Sequence, residues 1–306
     1  MRALIAGATG FVGRRLAPAL LDDGFEVACL VRDAAGEQAT RLSTAGCEIF
    51  EADLADPTDL EPPMRGVDAA YFMVHMMGRA ENYAGAEAAA AAGFAEAAAR
   101  AGVEQTVYLG GLGDETASPH LASRHATAIA LREHGPPLTY FRAAMVIGAG
   151  SESYLLMRNI VERLPILPDA AWMRRGTQPI GAREVIRYLR QAPFVPAAKN
   201  REIQIGGPEV LSPLELIDRM ARAMGRRPPA KVAVPGATPN AIAAAAEVVF
   251  TGHAGVAAEL ALGLSSDTVV RDPDGARLFD VTPEPLDVSL QRALEEDERL
   301  AAAGRV

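Results

Sequence analysis

Gly7, Gly10 and Gly13 are spaced three apart in the run Gly7-Ala8-Thr9-Gly10-Phe11-Val12-Gly13. The apolar run Ala3 to Ala6 comes directly before it, and a segment carrying Leu16, Leu20 and Leu21 on one helical face follows. A diphosphate needs a tight turn, backbone it can approach without side-chain obstruction, and unpaired N–H groups at a helix N-terminus. This segment can supply all three, with Thr9, Phe11 and Val12 adding amides between the glycines. The spacing is Gly-x-x-Gly-x-x-Gly, and glycine spacing alone also describes an ordinary strand-to-helix turn. Its place between a first strand and an amphipathic helix favours the phosphate reading.

The next strand-like run ends in Leu30-Val31-Arg32-Asp33, roughly twenty residues past the turn, where the adenosine ribose of a dinucleotide is read. A carboxylate there accepts hydrogen bonds from a free 2'-hydroxyl, whereas a guanidinium pairs with a 2'-phosphate and stacks on adenine. Arg32 therefore favours NADP(H), and Asp33 beside it keeps NAD(H) as the alternative. Asp53 and Leu54, at the end of a third strand, would meet the edge and face of adenine. Met73, Val74 and His75 leave a fourth strand where such a coenzyme passes and would line the nicotinamide ribose, although a histidine at a strand exit is also a common polar end-cap. Ala143 and Met145 follow a sixth strand and would back the nicotinamide ring.

The elements that must carry these residues alternate. Short apolar runs at Ala3 to Ala6, Val27 to Val31, Glu48 to Phe50, Ala69 to Val74, Thr106 to Leu109 and Leu138 to Phe141 are separated by helix-length segments, the rhythm of a doubly wound parallel sheet. Asn82 to Arg100 is an Ala-rich helix ending at Gly102. Ser118 and Pro119 read as N-cap and first position of a helix closing at Gly135. Past Gly148 the strand rhythm weakens, and helices are expected at Ser153 to Leu164, Ala182 to Gln191, Ser212 to Gly225, Ala241 to Phe250 and Ser289 to Ala303. The expected division is a nucleotide-binding layer over 1–150 and a smaller, mostly helical substrate or capping part over 151–306.

Composition narrows the class. The 306 residues carry 30 Lys+Arg against 39 Asp+Glu, a net charge of -9, so neither nucleic acid nor an anionic membrane is the expected partner. Two cysteines, Cys29 and Cys47, are too few for a disulfide scaffold or a zinc ribbon. His120 and His125 lie five apart and diverge on a helix, so no metal site is expected. No apolar run reaches the length of a membrane span, and a cytoplasmic protein is the expectation. Nucleotide hydrolysis, zinc proteolysis and serine-hydrolase chemistry lack their motifs.

In order along the chain, the glycine turn, Val31-Arg32-Asp33, Ala52-Asp53-Leu54, Tyr140-Phe141-Arg142, Gln178-Pro179-Ile180, Ile205 to Ser212 and Asp267 to Pro273 resemble the atypical, NmrA-like members of the extended short-chain dehydrogenase/reductase superfamily. The resemblance implies a Rossmann-type domain with NAD(P)(H) bound across the strand ends. Catalytic members carry Tyr-x-x-x-Lys, and this chain has none: its lysines are Lys199 and Lys231, preceded four residues earlier by Val195 and Arg227. Counting back from Gly135 puts His120 and Arg124 at the pair's positions, four apart on one helical face. His120 could handle a proton near neutral pH, with Arg124 depressing its pKa by repulsion or holding ribose hydroxyls. The bland alternative is a surface histidine near the helix start. The strand-end serine of standard members is replaced by Gly110-Gly111-Leu112-Gly113.

The leading expectation is a reductase passing hydride from NADPH to a carbonyl, quinone or activated alkene, in a cleft lined by Met145 and the apolar-rich stretch Tyr154 to Trp172. The rival is a non-catalytic NADP(H)-sensing regulator or accessory factor, which would add a protein partner to the nucleotide. Sugar-nucleotide epimerisation ranks third, because it needs the tyrosine-type base most directly.

Overall fold

The computed structural model describes residues 1–54, 60–75, 83–114, 116, 118–241, 244, 262 and 265–302. Its first strand, β1 (Arg2–Ala6), is buried from Ala3 to Ala6, which is why it reads as an unbroken apolar run. The strands β2 (Glu26–Val31), β3 (Glu48–Glu51), β4 (Ala69–Phe72), β5 (Gln105–Gly111), β6 (Leu138–Ala143) and β10 (Arg201–Ile205) join it in one seven-stranded sheet. The order is β3-β2-β1-β4-β5-β6-β10, and every neighbouring pair is parallel. Strand order reverses between β1 and β4, the switch point at which open parallel sheets form a crevice beyond their C-terminal strand ends.

Helices cover both faces. On one side α1 (Gly13–Asp22), α2 (Glu37–Thr44) and α7 (Ala182–Gln191) bury Leu16, Leu20, Leu42, Val185 and Leu189 against the sheet. On the other, α3 (Glu61–Met64), α4 (Tyr83–Arg100) and α5 (Pro119–His134) bury Met64, Phe94, Ala98, Ala128 and Leu131. Small alanines on the facing sides of α4 and α5 let the two helices lie close together. The boundaries of α5 follow from its chemistry: Ser118 Oγ accepts from the Leu121 N–H at 3.2 Å, Pro119 is the first helical residue, and Gly135 follows the last.

A third cluster belongs to the C-terminal part, where α6 (Glu152–Arg163), α8 (Pro213–Ala223) and α9 (Leu286–Ala302) pack around Tyr154, Met157, Leu216, Met220 and Leu290. Two small parallel sheets accompany it: β7 (Val146–Ile147) with β9 (Ile180–Gly181), and β8 (Ile166–Asp169) with β11 (Ala230–Ala233). Helix α8 carries a full capping box between Ser212 and Glu215. Helix α7 spans the expected residues, whereas β10 was not anticipated. Within β10 only Ile203 and Ile205 are buried among half-buried polar neighbours, the pattern of an edge strand. The expected helix at Ala241 to Phe250 falls outside the described residues apart from Ala241 and Ala244.

Candidate nucleotide-binding site

The glycine turn sits at the β1/β4 crevice. Gly7 has φ +79°, and a Cβ there would stand 2.5 Å from the Met73 carbonyl oxygen and 2.9 Å from the Val74 nitrogen, so only glycine lets the turn lie against the exit of β4. A Cβ on Gly13 would stand 2.3 Å from the Gly7 carbonyl oxygen, fixing the close approach of helix to strand. Gly10 donates to the Gly7 carbonyl at 3.0 Å, which closes the turn. Among the described residues the backbone N–H groups of Thr9, Phe11, Val12 and Gly13 have no protein acceptor, and Thr9 and Gly10 are exposed. Unpaired amides at the start of a helix form an anion cradle of the kind a diphosphate fills.

Arg15, which sequence reasoning missed, steadies this cradle from behind. Its guanidinium lies 4.3 Å from the Phe11 ring centroid and donates to the carbonyls of Phe11 at 3.0 Å and Ala149 at 2.8 Å. It also pairs with Glu296 on α9, tying the turn to the C-terminal helix.

Beyond β2, Arg32 is exposed and has no ion-pair partner among the described residues. Asp33 is engaged in the turn that follows: its Oδ1 accepts the Ala35 N–H at 2.9 Å, and its carbonyl accepts from Gly36. Asp53 is exposed, and Leu54 is half-buried against the cluster under α4. At the exit of β4, the Met73 N–H donates to the Ala6 carbonyl at 2.8 Å, Val74 and His75 are half-buried, and His75 Nδ1 is enclosed without a hydrogen-bond partner among the described residues.

The exit of β5 is shaped by a residue whose role the sequence did not show. Arg142, on β6, donates through Nε to the Gly111 carbonyl at 3.0 Å and through Nη2 to the Gly113 carbonyl at 2.5 Å, and pairs with Glu202 at 2.9 Å. A charged residue near the end of a buried parallel strand was the available signal. A Cβ on Gly110 would stand 2.8 Å from the Tyr140 ring, and one on Gly111 would stand 2.6 Å from Leu121 Cδ2. The position of the standard serine is thus occupied by neighbouring side chains as well as missing its hydroxyl. Ala143 is buried and its carbonyl accepts from Leu112 at 2.7 Å, while the Met145 carbonyl accepts from Ile180 at 3.0 Å.

His120 and Arg124 do share the first turns of α5, but their surroundings differ. His120 is half-buried, and desolvation pushes its pKa down from 6.5 to about 4, so the imidazole is neutral at pH 7. The depression comes from burial, not from the arginine. Arg124 is buried 3.8 Å from Glu87 on α4, and the same carboxylate accepts from Thr127 at 3.2 Å. The stretch Tyr154 to Trp172, expected to line a cleft, contributes Tyr154, Met157, Val161 and Leu167 to the core of the C-terminal part. Amphipathic helix α6 turns much of its apolar face inward, while Met145, Leu155, Ile160, Leu164 and Trp172 are half-buried at the margin of that core and Ile166 is exposed.

The strand order and the glycine turn at its switch point together define a Rossmann-type α/β fold. Residues 2–171 match the NmrA-like family, and the chain belongs to that family. A reductase of Streptomyces griseus acting on (4-alkanoyl-5-oxo-2,5-dihydrofuran-3-yl)methyl phosphate is 28% identical over 231 residues, 73% of this chain and 74% of that protein. The photosystem II assembly factor Ycf39 of Cyanophora paradoxa is 37% identical over 67 residues, and that match spans 22% of this chain and 20% of the factor. The solved structure of the Escherichia coli NADPH-dependent quinone oxidoreductase QOR2 with NADPH has the same fold, at TM-score 0.75 and 19% identity over 96% of this chain and all of that one. Among the described residues no helix is long and apolar enough to cross a membrane.

Proposed function

We propose that this chain binds NADP(H) in the β1/β4 crevice and uses it to reduce a carbonyl, quinone or activated alkene. The observation that carries the reading is the glycine turn, where unpaired amides meet a backbone approach that a Cβ would block. The pyrophosphate would lie on Thr9, Gly10, Phe11, Val12 and Gly13. Unpaired Arg32 would take the 2'-phosphate, and the commitment of Asp33 to its own turn favours NADP(H) over NAD(H). Asp53 and Leu54 would border adenine, Met73 to His75 the ribose, and Ala143 with Met145 the nicotinamide. Residues 1–150 would thus hold the coenzyme, with β10 and α7 completing that layer, and the rest of 151–306 would cover the substrate.

The coenzyme supplies the hydride. Neutral His120 suits it to polarise a substrate oxygen through an N–H rather than to deliver a proton, which water would provide. We assign Arg124 to positioning: its buried pair with Glu87 holds the start of α5, and so His120, at the crevice. Titration with NADPH and NADH tests the binding, and loss of NADPH absorbance with a panel of quinones and aldehydes tests the turnover.

A second reading, a nucleotide-sensing regulator or accessory factor, is favoured by one observation. Tyr140 and Leu121 crowd the positions where the standard serine would stand. Tight NADPH binding with no turnover across the panel would favour that reading over the reductase.

A further inference from the structure

A cleft of about 590 Å³ opens between α1, α7 and α9, lined by none of the residues assigned to the coenzyme. Its volume suits a small molecule. Six arginines line it against three glutamates. Arg15 pairs with Glu296, Arg190 with Asp23 and Arg292 with Glu284. That leaves Arg183 and Arg187 on α7 and Arg299 on α9 without an ion-pair partner among the described residues. Arg183 and Arg187 are four apart, so their like charges face each other on the helix. Arg183 also lies in the first turn of α7, where the helix dipole disfavours a cation and Gly181 provides no side-chain cap. Both features cost stability that Glu184, the acidic residue of the same turn, offsets only in part, and a bound anion would offset both.

The wall of the cleft is polar in another way. Glu184 is 1% exposed, and apart from the pull of its own backbone N–H neither carboxyl oxygen has a hydrogen-bond partner among the described residues. Ser289 of α9 is buried beside it, and a Cβ on Gly181 would stand 2.1 Å from Glu184 Oε2 and 2.6 Å from Ser289 Oγ, so the glycine leaves room for the two groups to converge. Desolvation holds the Glu184 carboxyl above its ordinary range. The like charge of Glu284 acts in the same direction, and Arg187 and Arg292 oppose it. An orphaned buried carboxyl beside unpaired guanidiniums calls for a ligand with both an anionic group and a hydroxyl.

We propose that this cleft binds a small hydroxyl-bearing phosphate ester, with the phosphate on Arg183 and Arg187 and a hydroxyl between Glu184 and Ser289. Calorimetry on the coenzyme-free full chain would use ribose 5-phosphate, inorganic phosphate and ribose as probes. Ribose 5-phosphate should bind, inorganic phosphate about tenfold more weakly, and ribose not measurably. The Arg183→Gln/Arg187→Gln variant should lose about tenfold in ribose 5-phosphate affinity while melting no lower than the wild type and keeping its NADPH titration. Glu184→Gln should weaken ribose 5-phosphate more than inorganic phosphate. No heat from ribose 5-phosphate at about 10 mM overturns the proposal. So does an affinity unchanged in the double arginine variant, or equal affinity for inorganic phosphate. Because no coenzyme is present in the cell, failure here leaves the coenzyme reading standing, and the reverse holds as well.

Discussion

Arg32, Gly7 and His120 each stake the reading on one side chain or its absence. If Arg32 takes the 2'-phosphate, Arg32→Ala should weaken NADPH binding by about 2 kcal/mol, near thirtyfold, and barely alter NADH binding, as fluorescence titration would show. Equal loss for both coenzymes would refute the assignment. Gly7→Ala must force an L-residue into φ +79° while pressing a methyl onto the Met73 carbonyl, so chemical denaturation should show a loss of at least about 2 kcal/mol. His120 gives a pH signature. Its folded pKa lies below the unfolded value, so its stabilising contribution is complete above pH 6.5 and declines as pH falls toward 4. Between pH 7.5 and 5 the wild type should lose about 1–2 kcal/mol more than His120→Gln in urea unfolding. Parallel pH profiles for the two proteins would contradict that.

At the scale of elements, the pairing of α4 with α5 carries a charge inside an alanine interface. Glu87, 2% exposed, lies between Arg124 and Thr127. Removing one partner of a buried pair costs more than the pair is worth. Glu87→Gln should therefore destabilise by about 3 kcal/mol, and Glu87→Gln/Arg124→Met should recover part of that loss in a double-mutant cycle. Additive losses would show that the two do not act together. A second junction is built on Gln178. Its side chain donates to the Gly207 carbonyl at 2.6 Å and accepts the Val270 N–H at 2.9 Å, and its backbone N–H donates to the Thr268 carbonyl at 3.0 Å. Three of the segments that carry the family resemblance, around 178, 207 and 268, are thus drawn into one knot joining the exit of β10 to the C-terminal part.

For the whole molecule, Arg15 ties the glycine turn to Glu296 on the last helix, so if a coenzyme seats on that turn its binding should stabilise the chain as a unit. NADPH at a hundred times its Kd should add about 2.7 kcal/mol, raising the melting temperature in a single transition. A transition that splits, or stays in place, would argue against binding across one cooperative body. Much of this body was legible in advance, because parallel strands covered on both faces must be continuously apolar and the glycine turn must follow the first of them. Local rules also placed Ser118 and Pro119 at the start of α5 and put Ala182 to Gln191 in a helix. Sequence could not show that Arg124 meets Glu87, or that Arg142 fills the exit of β5. Nor could it show that Tyr154, Met157, Val161 and Leu167 pack into a core. Periodicity along a chain fixes which face of an element is apolar, but the partner that covers that face, and the charge a buried side chain meets, come from residues 29 to 281 positions away.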